Sequence, residues 1–142
     1  MIVEKMVAGF AFSETNKLVI LIEKNRPDWQ KGKLNAVGGH IETYDQTPHH
    51  AMWREFKEET GVETDPFAWT NYLQLNGRDW SVEFFCTNLP DESFQSVQSM
   101  TDEEVFTCPV LGLPYRVIYN LNWLIPLSRD TELVDKVIVQ YA

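Results

Sequence analysis

Cysteine is scarce in this 142-residue chain: only Cys86 and Cys108 are present. Two thiols do not make a disulfide framework, and their spacing is not that of a C-x-x-C metal site. Both read as reduced thiols of a core or strand. Long apolar runs are also missing. No stretch approaches the ~20 residues that cross a bilayer, and Met1 to Phe12, which contains Glu4 and Lys5, lacks the apolar run of a secretory signal. A third absence is surplus positive charge. Lysine and arginine total 12 against 21 aspartates and glutamates, a net charge of −9. That balance argues against a nucleic-acid polymer or an anionic membrane as the main partner. Repeats, low-complexity tracts and linkers are absent as well. A single domain over residues 1–142, in a reducing cytoplasm, is therefore expected.

What the chain has is apolar content, 44% with 13% aromatic, enough for a core that needs no covalent staples. Val7 to Phe12 and Lys17 to Glu23 are β-prone runs joined by the turn Ser13-Glu14-Thr15-Asn16. Asn25 to Lys33 reads as a polar loop that, with Lys24, gathers Arg26, Lys31 and Lys33 around Trp29, the one basic patch of an acidic chain. Leu34 to Val37 predicts a short strand running into Gly38-Gly39. Thr47-Pro48 predicts a helix start, Thr as the cap and Pro where its missing N–H has no partner. That helix runs to about Thr60 and closes at Gly61, with Met52 and Phe56 facing the core. Phe67 to Leu75 and Trp80 to Thr87 flank Asn76-Gly77-Arg78-Asp79 as a hairpin. Val105 to Val110 predicts a strand. A second helix after Leu113-Pro114 follows from the spacing of Val117, Ile118, Leu121, Leu124 and Ile125, with Pro126 shortening its last turn. Leu133 to Tyr141 predicts a final strand. The pattern is one mixed α/β domain.

The first predicted helix carries Glu55, Glu58 and Glu59 within five positions. At about 100° per residue the three project within one narrow arc. Like charges crowded on one face repel, so stability alone does not place them there. Hard divalent cations reverse that balance, because carboxylate oxygens are their preferred ligands. An acidic chain also binds an anionic small molecule if cations bridge the two.

The run Arg54-Glu55-Phe56-Lys57-Glu58-Glu59-Thr60-Gly61-Val62 with the preceding Gly38-Gly39 resembles a Nudix box. That family's pattern is Gly, five residues, Glu, seven residues, then Arg-Glu-apolar-x-Glu-Glu-x-Gly-apolar. Here fourteen residues separate Gly39 from Arg54 where the pattern has thirteen, the extra one falling in Thr43-Tyr44-Asp45-Gln46. The motif's first Glu falls on Asp45 counted from Gly39 and on Gln46 counted back from Arg54. The resemblance implies an α/β/α sandwich with a mixed sheet and the box as loop–helix–loop. It implies hydrolysis of a nucleoside diphosphate linked to another group, by water attack on phosphorus with Mg²⁺ or Mn²⁺. Carried over position by position, Glu58 and Glu59 are metal ligands, Glu55 is a further ligand or the proton acceptor, the Gly39 carbonyl completes the metal shell, and Arg54 holds the glutamates. The family often takes another carboxylate from a later loop, and Glu104 is favoured among Asp102, Glu103 and Glu104.

Other residues have weaker claims. Gly38 lets backbone approach the site, and His40 is placed to touch phosphate. Arg26 and Lys33 are placed for the phosphate tail or leaving group, and Trp29 or Tyr72 for stacking on a base. His49 and His50 diverge by about 100° on the helix and cannot share a metal. Glu83 is expected to face solvent. The ADP-ribose branch of the family usually carries a proline well after the box, and none occurs between Pro66 and Pro90. An NTP or dNTP is thus the leading small-molecule partner. The alternative is a Nudix-like module that senses a nucleotide without cleaving it, which the altered box spacing favours and the intact glutamates oppose. A homodimer is the default assembly.

Overall fold

The computed structural model describes residues 3–15 and 17–142. In chain order it contains β1 (Glu4–Ser13), β2 (Leu18–Glu23), β3 (Leu34–Asn35), β4 (Val37–His40), α1 (Pro48–Thr60), β5 (Thr70–Asn76), β6 (Trp80–Leu89), β7 (Val105–Pro109), α2 (Leu121–Ser128) and β8 (Val137–Gln140). The strands form one mixed sheet in the order β3-β2-β1-β6-β5-β8, with β4 on β1 and β7 on β2. β1 and β6 run parallel along their full length, from Glu4↔Trp80 to Ser13↔Leu89. On its other edge β1 is shared. Its first half pairs with β4, from Met6↔His40 to Gly9↔Val37, and Phe12 pairs with Val19 of β2. Paired with β1 in this way, β4 sets Gly39 against Glu55 of α1.

Both sheet faces are apolar because both are covered. Phe10, Leu21, Leu73 and Phe84 pack with Leu121, Leu124 and Ile125 of α2. Val7, Ala11, Ile20 and Phe85 pack with Ala51, Met52 and Phe56 of α1. The result is a helix–sheet–helix sandwich with a core on each side. α1 has the predicted limits: Thr47 Oγ1 accepts from the His50 N–H, Pro48 opens the helix, and Gly61 ends it with φ 76°.

Several predicted boundaries move. The second helix begins at Leu121, well after Leu113-Pro114. The backbone before it is used elsewhere: the Leu34 N–H donates to Arg116 O and the Ile118 N–H to Leu34 O. Val117 and Ile118 are therefore core residues of a bridge to β3, and their helical spacing is incidental. The final strand shrinks to Val137–Gln140, and β5 starts at Thr70 because Pro66–Ala68 forms a 3₁₀ turn capped by Asp65. In the first turn, Ser13 Oγ accepts from the backbone N–H groups of Lys17 and Leu18, while Asn16 lies outside the described residues. Among the described residues no helix is long and apolar enough to cross a membrane.

Candidate active site

The loop from Ile41 to Thr47 is organised by Asp45, whose side chain is fully buried (0% exposed). Arg54 donates to it twice, Nε to Oδ1 at 2.9 Å and Nη2 to Oδ2 at 2.8 Å. The Glu42 N–H donates to Oδ2 at 2.8 Å and His50 Nδ1 to Oδ1 at 3.0 Å. Four donors on one carboxylate hold it ionised, with the Arg54 guanidinium first among them, and its pKa falls well below the usual carboxylate range. Arg54 then reaches across to the His40 carbonyl at 3.1 Å, Glu55 Oε1 at 3.1 Å and Glu58 Oε2 at 3.2 Å. One guanidinium thus joins the loop, the end of β4 and the helix.

The three glutamates of α1 are graded by burial. Glu58 is open to solvent, 54% exposed, whereas Glu55 is partly buried and Glu59 retains 9%. Glu55 lies against Gly39 so closely that a Cβ built there would meet its Oε1 at 2.4 Å, and one on Gly38 would meet Val7 O at 2.1 Å. A side chain at Gly38 would collide with the β1 backbone, and one at Gly39 would push the Glu55 carboxylate aside. Burial raises the Glu55 pKa against the pull of Arg54. Glu59 goes further: burial first, and then the Glu55 charge, push it up to about 8, opposed by Lys24 and by the Gly38 N–H. Its Oε2 is buried with no hydrogen-bond partner. Glu103 from the loop before β7 is buried close enough to add to that rise.

Residues 5–114 match the NUDIX domain. The chain belongs to the Nudix family. Its fold is similar to that of the NUDIX domain of Shewanella oneidensis NrtR, solved with ADP ribose (TM-score 0.72, 19% identity, 91% of this chain and 88% of that one). It is also similar to the MutT structure described for Aliivibrio salmonicida and Vibrio cholerae (TM-score 0.69, 16% identity, 88% and 96% covered). A NUDIX hydrolase from Nitrosomonas europaea is a further neighbour (TM-score 0.63, 15% identity, 99% and 81% covered). No curated protein sequence matches the chain.

Within this Nudix domain, the position counted from Gly39 is the one that reaches the box arginine. Asp45 bonds Arg54, and Gln46 has no part in that network. The extra residue therefore falls after Asp45, and the longer connection offsets a side chain one methylene shorter than Glu.

The acids of the later loop are held in different ways. Glu104 is exposed and lends its backbone carbonyl to the Glu23 N–H, while Glu103 is buried with its carboxylate on Lys24 and Asn25. The run of three acids in an irregular loop gave no period from which to choose between them. Tyr72 cannot stack on a ligand: it is buried, with its hydroxyl donating to Leu124 O at 2.9 Å. Trp29 is 63% exposed on the 3₁₀ turn Asp28–Gln30. Glu83 does not face open solvent. Its strand shares the α1 face with Phe85, and Asn71 and Lys136 bind its carboxylate at 2.6 and 3.3 Å. His40 lies at the end of β4 with its ring 3.8 Å from Glu4, and His49 packs edge-on to Phe85. Arg26 and Lys33 are exposed on the basic loop.

A divalent cation suits these residues. The donors are hard oxygens, one of them is buried without a partner, and the glycine cradle leaves backbone carbonyls beside them. Among the described residues no three acidic, histidine or cysteine side chains already converge as a closed cage. Arg54 draws Glu55 and Glu58 toward itself, and Glu58, being exposed, has room to turn.

Proposed function

We propose that the protein is a divalent-metal-dependent pyrophosphohydrolase that cleaves a nucleotide, with NTP or dNTP favoured over ADP-ribose-like substrates. The observation that carries this reading is Glu59, a buried carboxylate with one oxygen unpartnered, beside Glu55 at the double glycine. A buried carboxylate with a lone oxygen costs stability, and a bound cation would offset that cost. Glu55, Glu58, Glu59 and the Gly39 carbonyl would hold Mg²⁺ or Mn²⁺, with Glu104, exposed like Glu58, as the further carboxylate of the later loop. When bound, such an ion neutralises phosphate charge and lowers the pKa of attacking water.

The chain's own residues do the rest. Arg54, fixed by Asp45, holds Glu55 and Glu58 in a common orientation. Glu55 has a carboxyl raised by burial, which suits it to take a proton from water as that water attacks phosphorus. Gly38 and Gly39 let the phosphate chain approach backbone closely. Lys24, Arg26 and Lys33 supply positive charge on the loop toward which the phosphate tail would extend, and Trp29 offers an exposed aromatic face. His40, at the end of β4 with its carbonyl on Arg54, is a further candidate to touch phosphate.

The sensing alternative rested on the altered box spacing. With Asp45 bound to Arg54 that ground is weak, since the loop keeps its tie to the helix. The test is a panel of NTPs, dNTPs and ADP-ribose with Mg²⁺ or Mn²⁺, read by product mass. Metal-dependent release of a nucleoside monophosphate supports the hydrolase. Tight nucleotide binding with no product after prolonged incubation supports the sensor.

A further inference from the structure

Two loops beside the glutamates of α1 are tied together through one buried side chain. Glu103 is 4% exposed and both its oxygens are engaged. Oε1 accepts from Lys24 Nζ at 3.1 Å, and Oε2 accepts from the Asn25 backbone N–H at 2.6 Å and lies 3.8 Å from Arg26 Nη1. Its neighbour Asp102 repeats the tie, accepting from Arg26 Nη2 at 2.5 Å, while the Asp102 carbonyl accepts from Asn25 Nδ2 at 2.6 Å. The same acidic loop grips the end of α1 on its other side. The Gln98 N–H donates to Thr60 O at 2.9 Å and the Met100 N–H to Glu59 O at 3.2 Å. The loop is a strap from the basic segment to the helix that carries the glutamates.

A metal ligand needs an oxygen lone pair free to face the ion. Glu59 has an oxygen without a partner, whereas each oxygen of Glu103 already accepts from a donor, the Lys24 ammonium or the Asn25 N–H. The Lys24 ammonium, in turn, is held near enough to Glu59 to act on its charge. Opposite it, Gly32 at φ 81° forms a bulge, its N–H donating to Lys24 O and the Lys24 N–H to Lys33 O, both at 2.8 Å.

We infer that Glu103 is a positioning residue and not an additional metal ligand: it fixes the Lys24 ammonium beside the glutamates of α1, where the ammonium receives the phosphate chain of the substrate. This rests on the proposed pyrophosphohydrolase reading for the kind of ligand. Its test does not require turnover. Mn²⁺ binding is measured by the loss of free-ion paramagnetic resonance signal, and inorganic pyrophosphate binding to the Mn²⁺-loaded protein by calorimetry. The proteins are wild type, Glu103→Gln, Lys24→Gln and the double variant.

Glu103→Gln is expected to keep its Mn²⁺ affinity within about twofold and to lose about tenfold in pyrophosphate affinity. Lys24→Gln loses as much, and the double variant loses no more than Lys24→Gln alone, because the two act as one unit. A tenfold or greater fall in Mn²⁺ affinity in Glu103→Gln would make Glu103 a ligand and overturn the inference. So would unchanged pyrophosphate binding in either single variant, or losses that multiply in the double. If Glu103→Gln alone does not fold, the double variant, which leaves no buried charge unpaired, carries the same Mn²⁺ and pyrophosphate tests against wild type. A wild type that binds Mn²⁺ and pyrophosphate but hydrolyses no nucleotide contradicts the proposed function and leaves this inference to be judged on the same binding numbers.

Discussion

The loop from Ile41 to Thr47 and the last turn of α1 each bury a carboxylate, and the two are treated in opposite ways. Asp45 has four donors around it and a pKa driven down. Glu59 has an oxygen with no donor and a pKa pushed up to about 8. Asp45 is spent on the fold, because every lone pair it needs for stability is already matched inside the chain. Glu59 is held back from the fold, and what it lacks is what a cation supplies. The difference separates scaffold from chemistry within one short motif, on either side of a single guanidinium.

The comparison can be broken most sharply at the glutamates. Glu59→Gln or Glu58→Gln is expected to lower kcat/KM on the cleaved nucleotide by about 10³-fold, ~4 kcal/mol of barrier, in steady-state assays with Mg²⁺. Unchanged turnover in both variants would remove the site. Next comes the scaffold side. Asp45→Asn leaves the buried Arg54 without its main counter-charge and should destabilise the fold by about 3–5 kcal/mol in urea unfolding. The pH dependence follows from the direction of the shift. The folded Asp45 pKa lies below its ordinary value of 3.8, so the stability it contributes is present above that pH and is lost as pH falls below it.

Glu59 has the opposite sign. Between its ordinary value of 4.5 and about 8 the folded chain keeps a proton that the unfolded chain has released. Stability falls as pH rises through that window and is level above it. Glu59→Gln should therefore stabilise the metal-free protein at pH 8 by about 1–3 kcal/mol, with the gain vanishing near pH 4. A variant that gains stability as it loses activity would show that the carboxylate is kept for function. The smallest effect is at His50, which adds one partly exposed bond to Asp45: His50→Ala should cost about 1 kcal/mol or less in the same unfolding assay.

Much of this was readable in the chain before any coordinates. Thr47-Pro48 and Gly61 mark the limits of α1 because caps are local chemistry, and the strands β1, β2 and β6 declare themselves through dense apolar runs. The box glycines and glutamates were legible for the same reason, each being fixed by short-range spacing. Where long-range pairing decided, reading along the chain failed. Val117 and Ile118 look helical but answer to Leu34, more than eighty positions away. Glu103 and Glu104 are equivalent neighbours until Lys24 and Asn25 select one of them. Glu83 reads as a solvent-facing strand residue until Lys136 and Asn71 close over it. Asp45 lay between the two: the count from Gly39 pointed to it, and only the bond to Arg54 chose it over Gln46.

The most direct measurement is Mn²⁺ titration of the nucleotide-free protein at pH 7, wild type against Glu59→Gln. The account predicts that the wild type binds the ion, releasing protons as Glu59 ionises, and that Glu59→Gln binds at least about tenfold more weakly with less proton release. Equal Mn²⁺ affinity and equal proton release in the two proteins would contradict it.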